Sequence, residues 1–264
     1  MSRFRHDPDT GLYLPRERRI EAAPPNLCSM SAPQQALLMR SNAGDTDPYW
    51  SSVTLLLNFD GAQDSTTMTD SSSYAHTVTA VGDAKIKTDG AQKFTGGVLL
   101  LDGTGDYLTV PEHAGFGFGT ATDYTIEAFI YPTTATVERD IIDTRKSADS
   151  NPKSLVYYLS GSNKLAMYNS STVYGDSGSS FGTSNWYHVA WTRSGTTTRG
   201  FRDGSQEYST TASLDTRTTR PLVIGGNFAF GGLFTGRMKC LRITKGVARY
   251  TGTYTVPSSK FPTS

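Results

Sequence analysis

The stretch "NWYHVAWTRSG", residues 185–195, sets one histidine between two tryptophans with an arginine just downstream. With the two-residue period of a β-strand it separates into two rows. Tyr187, Val189, Trp191 and Arg193 share one face, and Trp186, His188, Ala190 and Thr192 share the other. The first row is the more apolar and is expected to face a core, which leaves His188 pointing away from it. Downstream, "TTTRGFRDGSQEYS" supplies a hairpin partner, with Asp203-Gly204 as the turn and Phe201 and Tyr208 beside it. "DYTIEAFIYP" alternates in the same way. Tyr124, Ile126, Ala128 and Ile130 form one face, and Thr125, Glu127, Phe129 and Tyr131 the other, so Glu127 and His188 can pair if the two strands are neighbours.

From residue 53 onward the chain continues in this manner. Short apolar or alternating segments are separated by Gly, Ser, Thr, Asn and Asp, and Asp-Gly steps at Asp60, Asp89, Asp102 and Asp203 mark turns. Strands are expected at 53–59, 76–81, 98–101, 107–110, 124–131, 139–143 and 154–159. Others are expected at 164–168, 186–193, 198–202, 206–209, 222–225 and 234–243. So many short strands with almost no helix imply an all-β chain of two packed antiparallel sheets.

The first fifty residues differ. They hold six of the 12 prolines and no lysine, which implies an extended Pro-rich arm over 1–50 followed by a sandwich over 51–264. Within the arm, "SAPQQALLMR" has capping-box spacing at Ser31 and Gln34 and suits a short helix.

Composition narrows the function classes. Lys+Arg 25 against Asp+Glu 24 leaves a formal charge of +1, with no long-range field to draw in nucleic acid or an anionic membrane. The longest apolar runs fall far short of the ~20 residues that cross a bilayer, and the N-terminus lacks the apolar stretch of a secretory signal. Cys28 and Cys240 lie in segments of different character and read as free thiols.

"DYTIEAFIYP", "NWYHVAWTRSG" with "FRDG" downstream, "LLLDGTGDYLTVP" and the closing "GRMKCLRITKGVARYTGTYTVPSSKFP" together resemble the laminin-G-like branch of the concanavalin A-like lectin/glucanase superfamily, over about residues 53–262. The variant ending in "RITKGVARYTGTYTVPSSKFP" is similar to domains of tailed-phage virion proteins and bacterial surface proteins. The resemblance implies a two-sheet antiparallel jelly-roll sandwich that holds glycans or other proteins, with the closing segment wrapped over it. It does not extend to residues 1–47.

Three kinds of site can be weighed on the residues. The superfamily's glucanases need two carboxylates ~5 Å apart, and "TIEAFIYP" offers Glu127 alone, so no catalytic residue is assigned. Asp60, Asp64 and Asp70 offer oxygens to calcium, but their spacing closes no site, and they read as solvated turn residues; no metal or cofactor is implied. Loop aromatics beside polar groups suit a sugar ring: Tyr168, Tyr174, Asp176 and Phe181 in one Gly/Ser-rich loop, Asn227, Phe228 and Phe230 in another. In the arm, Phe4, Leu12, Tyr13, Ile20 and Leu27 offer spaced apolar anchors, and Arg16, Arg18 and Arg19 offer charged ones.

The reading that joins these features is a non-enzymatic virion component of a tailed phage, made in the host cytoplasm. Its arm docks on other virion proteins in a multi-copy assembly, and its sandwich is displayed for decoration or adhesion. A host-glycan lectin of a tail fibre is the alternative, and a glycan-cleaving enzyme the third. On the faces assigned above, Trp191→Ala is expected to be costly, and His188→Ala and Glu127→Gln mild.

Overall fold

The computed structural model describes residues 4–6, 13–15, 46–119, 121–135, 137–144, 155–169, 172–176, 178–211, 221–227 and 232–264. In chain order the strands are β1 (Phe4–His6), β2 (Tyr13–Pro15), β3 (Val53–Leu57), β4 (Met68–Thr69), β5 (Thr77–Val81), β6 (Lys85–Lys87), β7 (Val98–Asp102), β8 (Tyr107–Val110) and β9 (Tyr124–Pro132). They continue with β10 (Arg139–Asp143), β11 (Leu155–Leu159), β12 (Leu165–Asn169), β13 (Thr172–Gly175), β14 (Tyr187–Ser194), β15 (Thr197–Arg202), β16 (Ser205–Thr210), β17 (Leu222–Ile224) and β18 (Thr235–Lys245). Every strand expected between residues 53 and 245 is present. β4, β6 and β13 are additional, and each is too short or too polar for alternation to mark it.

Two eight-stranded sheets form the sandwich. One runs β13-β12-β11-β10-β17-β8-β5-β4, the other β16-β15-β14-β9-β18-β7-β6 with β3 paired to β18. Between them lie Leu55, Leu57, Leu99, Ile126, Ile130, Val189, Trp191, Leu222, Ile224, Met238 and Ile243, all at most 1% exposed. Tyr187, Val189 and Trp191 thus face the core as alternation predicts. The β15–β16 turn is Asp203-Gly204, both in the left-handed region (φ 47° and 81°), the hairpin turn that the Asp-Gly step predicts, and a bulge just beyond it sets Phe201 opposite Gln206 and Gly200 opposite Tyr208.

β18 is the spine of its sheet, and it carries a bulge. Opposite Phe129, Ala128 and Glu127 of β9 it sets four residues, 239–242, with Cys240 in the left-handed region (φ 53°). The extra residue lets Lys239, Cys240 and Arg242 all turn to the outer face, while Met238, Leu241 and Ile243 stay in the core.

The outer face of this sheet is covered. After Gly246 the chain runs back across it. Tyr250 stacks on Tyr254 and packs on Ala190 and Phe201, and Phe261 lies against Phe129 and Cys240. Backbone contacts secure the covering: Thr192 Oγ1 donates to Tyr250 O (2.7 Å), and Tyr254 N donates to Gly204 O (3.0 Å). The aromatic contacts implied for the closing segment are therefore present.

In the arm, β1 and β2 pair as a small antiparallel hairpin, Phe4 opposite Pro15 and His6 opposite Tyr13. An extended segment was expected here. In the sequence, "DPDTG" at 7–11 carries the Asp, Pro and Gly that favour turns, a signal that alternation over three residues could not supply. Residues 31–39 and Cys28 lie outside the described residues.

Trp191 is fully buried between the sheets, so Trp191→Ala should lower unfolding free energy by ~3–5 kcal/mol through lost burial and a cavity; chemical denaturation of the variant checks this. Burial also pushes the Cys240 thiol up to about 12. In a Cys28→Ser variant, a thiol reagent at pH 8 should label nothing until denaturant is added.

Candidate functional site

Under the wrap, the outer face holds a cluster of buried charges. Glu127, which alternation turns outward, is 0% exposed. Its Oε1 accepts from Nε and Nη2 of Arg242 (2.9 and 2.7 Å), and its Oε2 accepts from the Tyr250 hydroxyl (2.7 Å) with His188 Nε2 3.3 Å away. Arg242 Nη1 donates onward to Asp47 Oδ2 (2.8 Å). Asp47 also receives Nη1 and Nη2 of Arg249 (3.0 and 2.7 Å), and Arg249 Nε reaches Thr244 Oγ1 (2.7 Å). His188 Nδ1 lies 2.8 Å from the Tyr254 hydroxyl. Two carboxylates thus face two guanidinium groups, and the Arg242 guanidinium stacks 3.8 Å from the centroid of the Phe261 ring.

Burial by itself would raise both carboxyl groups. The facing cations outweigh it, Arg242 before His188 and Arg249 at Glu127, and Arg249 before Arg242 at Asp47, and both carboxyls are held below the usual carboxylate range. Glu127 and His188 do pair, as the strand register allowed. The expectation that they are mild positions is overturned, because the closing segment seals both from water. Removing Glu127 leaves the Tyr250 hydroxyl and two Arg242 donors buried without their acceptor, and removing His188 takes a buried neighbour from Glu127 and from the Tyr254 hydroxyl. Asp47 was missed. No spacing marks it, and the clue was the reverse one, that Arg242 and Arg249 fall in segments that must be buried and so require acids.

This geometry is suited to holding, not to turnover. An acid catalyst needs a substrate path and an oxygen free to exchange a proton. Both Glu127 oxygens are engaged, and its side chain is fully enclosed.

The residues singled out for sugar binding are dispersed. Phe181 is only 2% exposed, in the main core, edge-on to Tyr187 at 4.8 Å with the Arg202 guanidinium 5.1 Å from its centroid. Phe181 therefore offers no stacking face. Tyr174 is half-buried against the same core, and Asp176 accepts a hydrogen bond from Ser160 Oγ. Tyr168 is half-buried beside Ala166 on the outer face of the other sheet. The structure brings Asp176 and Phe181 to the β11–β12 turn, at Ser160 and Asn163, whereas Tyr174 pairs with Met167 along β12 and Asn227 donates to Asp140 Oδ2 (2.7 Å). Phe228 and Phe230 lie outside the described residues, as do Leu12, Arg16, Arg18, Arg19, Ile20 and Leu27 of the arm. Phe4 and Tyr13 belong to the β1–β2 hairpin.

The three turn aspartates do not converge either. Asp60 pairs with Lys239 and Lys260 (2.7 and 2.8 Å), Asp64 with Lys87 (3.0 Å), and Asp70 accepts from Leu56 N, Ser72 N, Ser72 Oγ and His76 N. A different trio, Asp83, Asp102 and Asp106, has ligand atoms within 4.8 Å of one another. Asp106 there accepts from the amides of Asp83 and Asp102, and Lys85 pairs with Asp83 (2.8 Å). Among the described residues no helix is long and apolar enough to cross a membrane.

Glu127→Gln should therefore cost ~3–5 kcal/mol, as breaking one partner of a buried ion pair does. Because the folded-state values of Glu127 and Asp47 are depressed, the stability they contribute is present above the unfolded carboxylate range near pH ~4 and is lost as pH falls below it. Melting temperature measured from pH 7 to pH 2 should fall steeply below ~4, and less steeply in Glu127→Gln, which has one depressed group fewer.

Solved structures share this architecture. Domain 4 of AbnA, a GH43 extracellular arabinanase from Geobacillus stearothermophilus solved in complex with arabinotriose, is 18% identical at a TM-score of 0.57, over 75% of this chain and 94% of that domain. The binding domain of Paraclostridial Mosquitocidal Protein 1 is 14% identical at 0.54, over 76% of this chain and 50% of that one. The binding domain of botulinum neurotoxin serotype G is 14% identical at 0.54, over 74% and 48%. The chain thus spans about half the length of these two toxin domains. No curated protein sequence matches it. A family model does, across residues 102–249, more than half of the chain and including β9, the β14–β16 hairpins and Glu127, His188, Arg242 and Arg249 of the buried cluster; the chain belongs to the concanavalin A-like lectin/glucanases superfamily.

Proposed function

We propose that the chain is a non-catalytic, lectin-like binding module, anchored by its N-terminal arm in a tailed-phage virion and displayed there to hold a surface glycan. The observation that carries the non-catalytic part is the state of Glu127. The carboxylate on the strand where a glucanase would need a reacting pair is enclosed and bound on both oxygens. Glycan binding is supported by the company the fold keeps: an arabinanase domain solved with arabinotriose and two toxin binding domains. The virion setting rests on the closing segment's resemblance to phage virion domains. Anchoring is supported by the arm itself, since a hairpin of two three-residue strands is too small to be stable without a partner.

Two measurements test this. On an array of bacterial surface glycans the full chain should bind a restricted set and release no reducing sugar from it; cleavage that disappears in Glu127→Gln would overturn the non-catalytic reading. A chain beginning at Asp47 should melt like the full chain yet fail to enter purified particles, whereas a chain beginning at Ser51 should melt markedly lower. That second truncation removes Asp47, whose amide also donates to Ser264 O (2.7 Å). Normal incorporation of the Asp47 truncation would contradict anchoring by the arm.

A further inference from the structure

At one margin of the outer face, where β9, β14 and β18 meet the loop between β6 and β7, the wrap leaves side chains partly open to solvent. Tyr131 and Trp186 sit side by side there, one residue beyond the Ile130–Tyr187 pair of the ladder, with ring centroids 5.4 Å apart. Both are half-buried, so each keeps part of its surface open to solvent. Beneath this floor lies the fully buried Phe129, which the half-buried Phe94 meets edge-on at 5.2 Å and supports from the side. Trp186 and Phe94 pack on the same small cluster of Phe129, Cys240 and Phe261.

Two cations border this floor. Arg237 lies directly across the ladder from Tyr131, and its Nη1 donates to the backbone oxygen of Asp89 (2.6 Å). The turn at Gly90 closes against the same guanidinium; a Cβ there would come within 2.6 Å of Nη2. Lys93 Nζ is held 4.9 Å from the Phe129 centroid and 5.7 Å from that of Phe94. Among the described residues neither cation has a carboxylate partner, although Lys85, Lys87, Lys239 and Lys260 around them all do. Two unmatched cations beside an open tryptophan–tyrosine pair define a ligand with an apolar ring face and a negative charge.

We propose that this margin binds a carboxylate-bearing glycan, with Tyr131 and Trp186 stacking on a sugar ring and Lys93 and Arg237 holding its carboxylate. The proposal rests on the glycan-binding reading above and gives it a place and a ligand class. A neutral sugar would use the rings and leave the cations idle. A nucleic acid would need a longer basic track than two residues supply.

The test uses the full chain and two matched probe pairs: trigalacturonate against its methyl ester, and sialyllactose against lactose. Binding is followed by titration calorimetry at low and high salt. The acidic member of each pair should bind at least about ten-fold more tightly, and the difference should shrink with salt. A Lys93→Gln/Arg237→Gln double variant should lose that preference with its melting temperature unchanged, and Trp186→Ala should weaken both members. Equal affinity for acidic and neutral probes would overturn the proposal. So would glycan binding that survives all three substitutions, which would leave the broader glycan reading standing. Absence of binding to every glycan on the array and to all four probes would sink both.

Discussion

A carboxylate taken out of water must be matched by positive charge and hydrogen bonds, or it is lost to protonation or unfolding. In this protein that requirement falls on Glu127, in the middle of the central strand β9. The consequences reach both ends of the sandwich. Arg242 comes from the last strand, Arg249 and Tyr250 from the segment after it, and Asp47 from the residues just before the first strand of the sandwich. The cluster therefore fixes where the chain enters the domain and how it leaves. It also pins the C-terminal wrap to the sheet, and the wrap in turn excludes the water that would weaken the pairs.

Most of the sandwich was legible in the sequence because its strands alternate. "YHVAWTRS" and "YTIEAFIYP" show their inner faces directly, and Asp203-Gly204 announces its own turn. The outer face was not legible, for a definite reason. Alternation separates two faces but does not say whether the second one is wet. Glu127, His188 and Thr192 look like a solvated row until the closing segment is laid over them. The bulge at Cys240 adds a second obstacle. With strict alternation Lys239 and Arg242 fall on opposite faces, and only the extra residue puts both on the outer one. Phe181 failed in the opposite direction. Its Gly/Ser-rich surroundings suggest an exposed loop aromatic, but Asn163 and Arg202 draw it into the core.

The same arrangement shapes what the protein can do. The superfamily sandwich offers a sheet surface, and here most of one outer surface is given over to the chain's own C-terminal segment. Among the parts that stay open on that side is the margin around Tyr131 and Trp186. The sealed carboxylate at the centre and the cations at the rim are the two features on which the proposed binding role rests.

The central claim is that Glu127 and Arg242 act as a structural pair and not as separate surface charges. A double-mutant cycle of Glu127→Gln and Arg242→Met, read by chemical denaturation at pH 7, tests it most directly. The account predicts large single-variant losses and a coupling energy toward the upper end of the range for contacting residues, ~2–3 kcal/mol, with the double variant less destabilised than the sum of the two. Additive effects, with coupling within ~0.5 kcal/mol of zero, would contradict it.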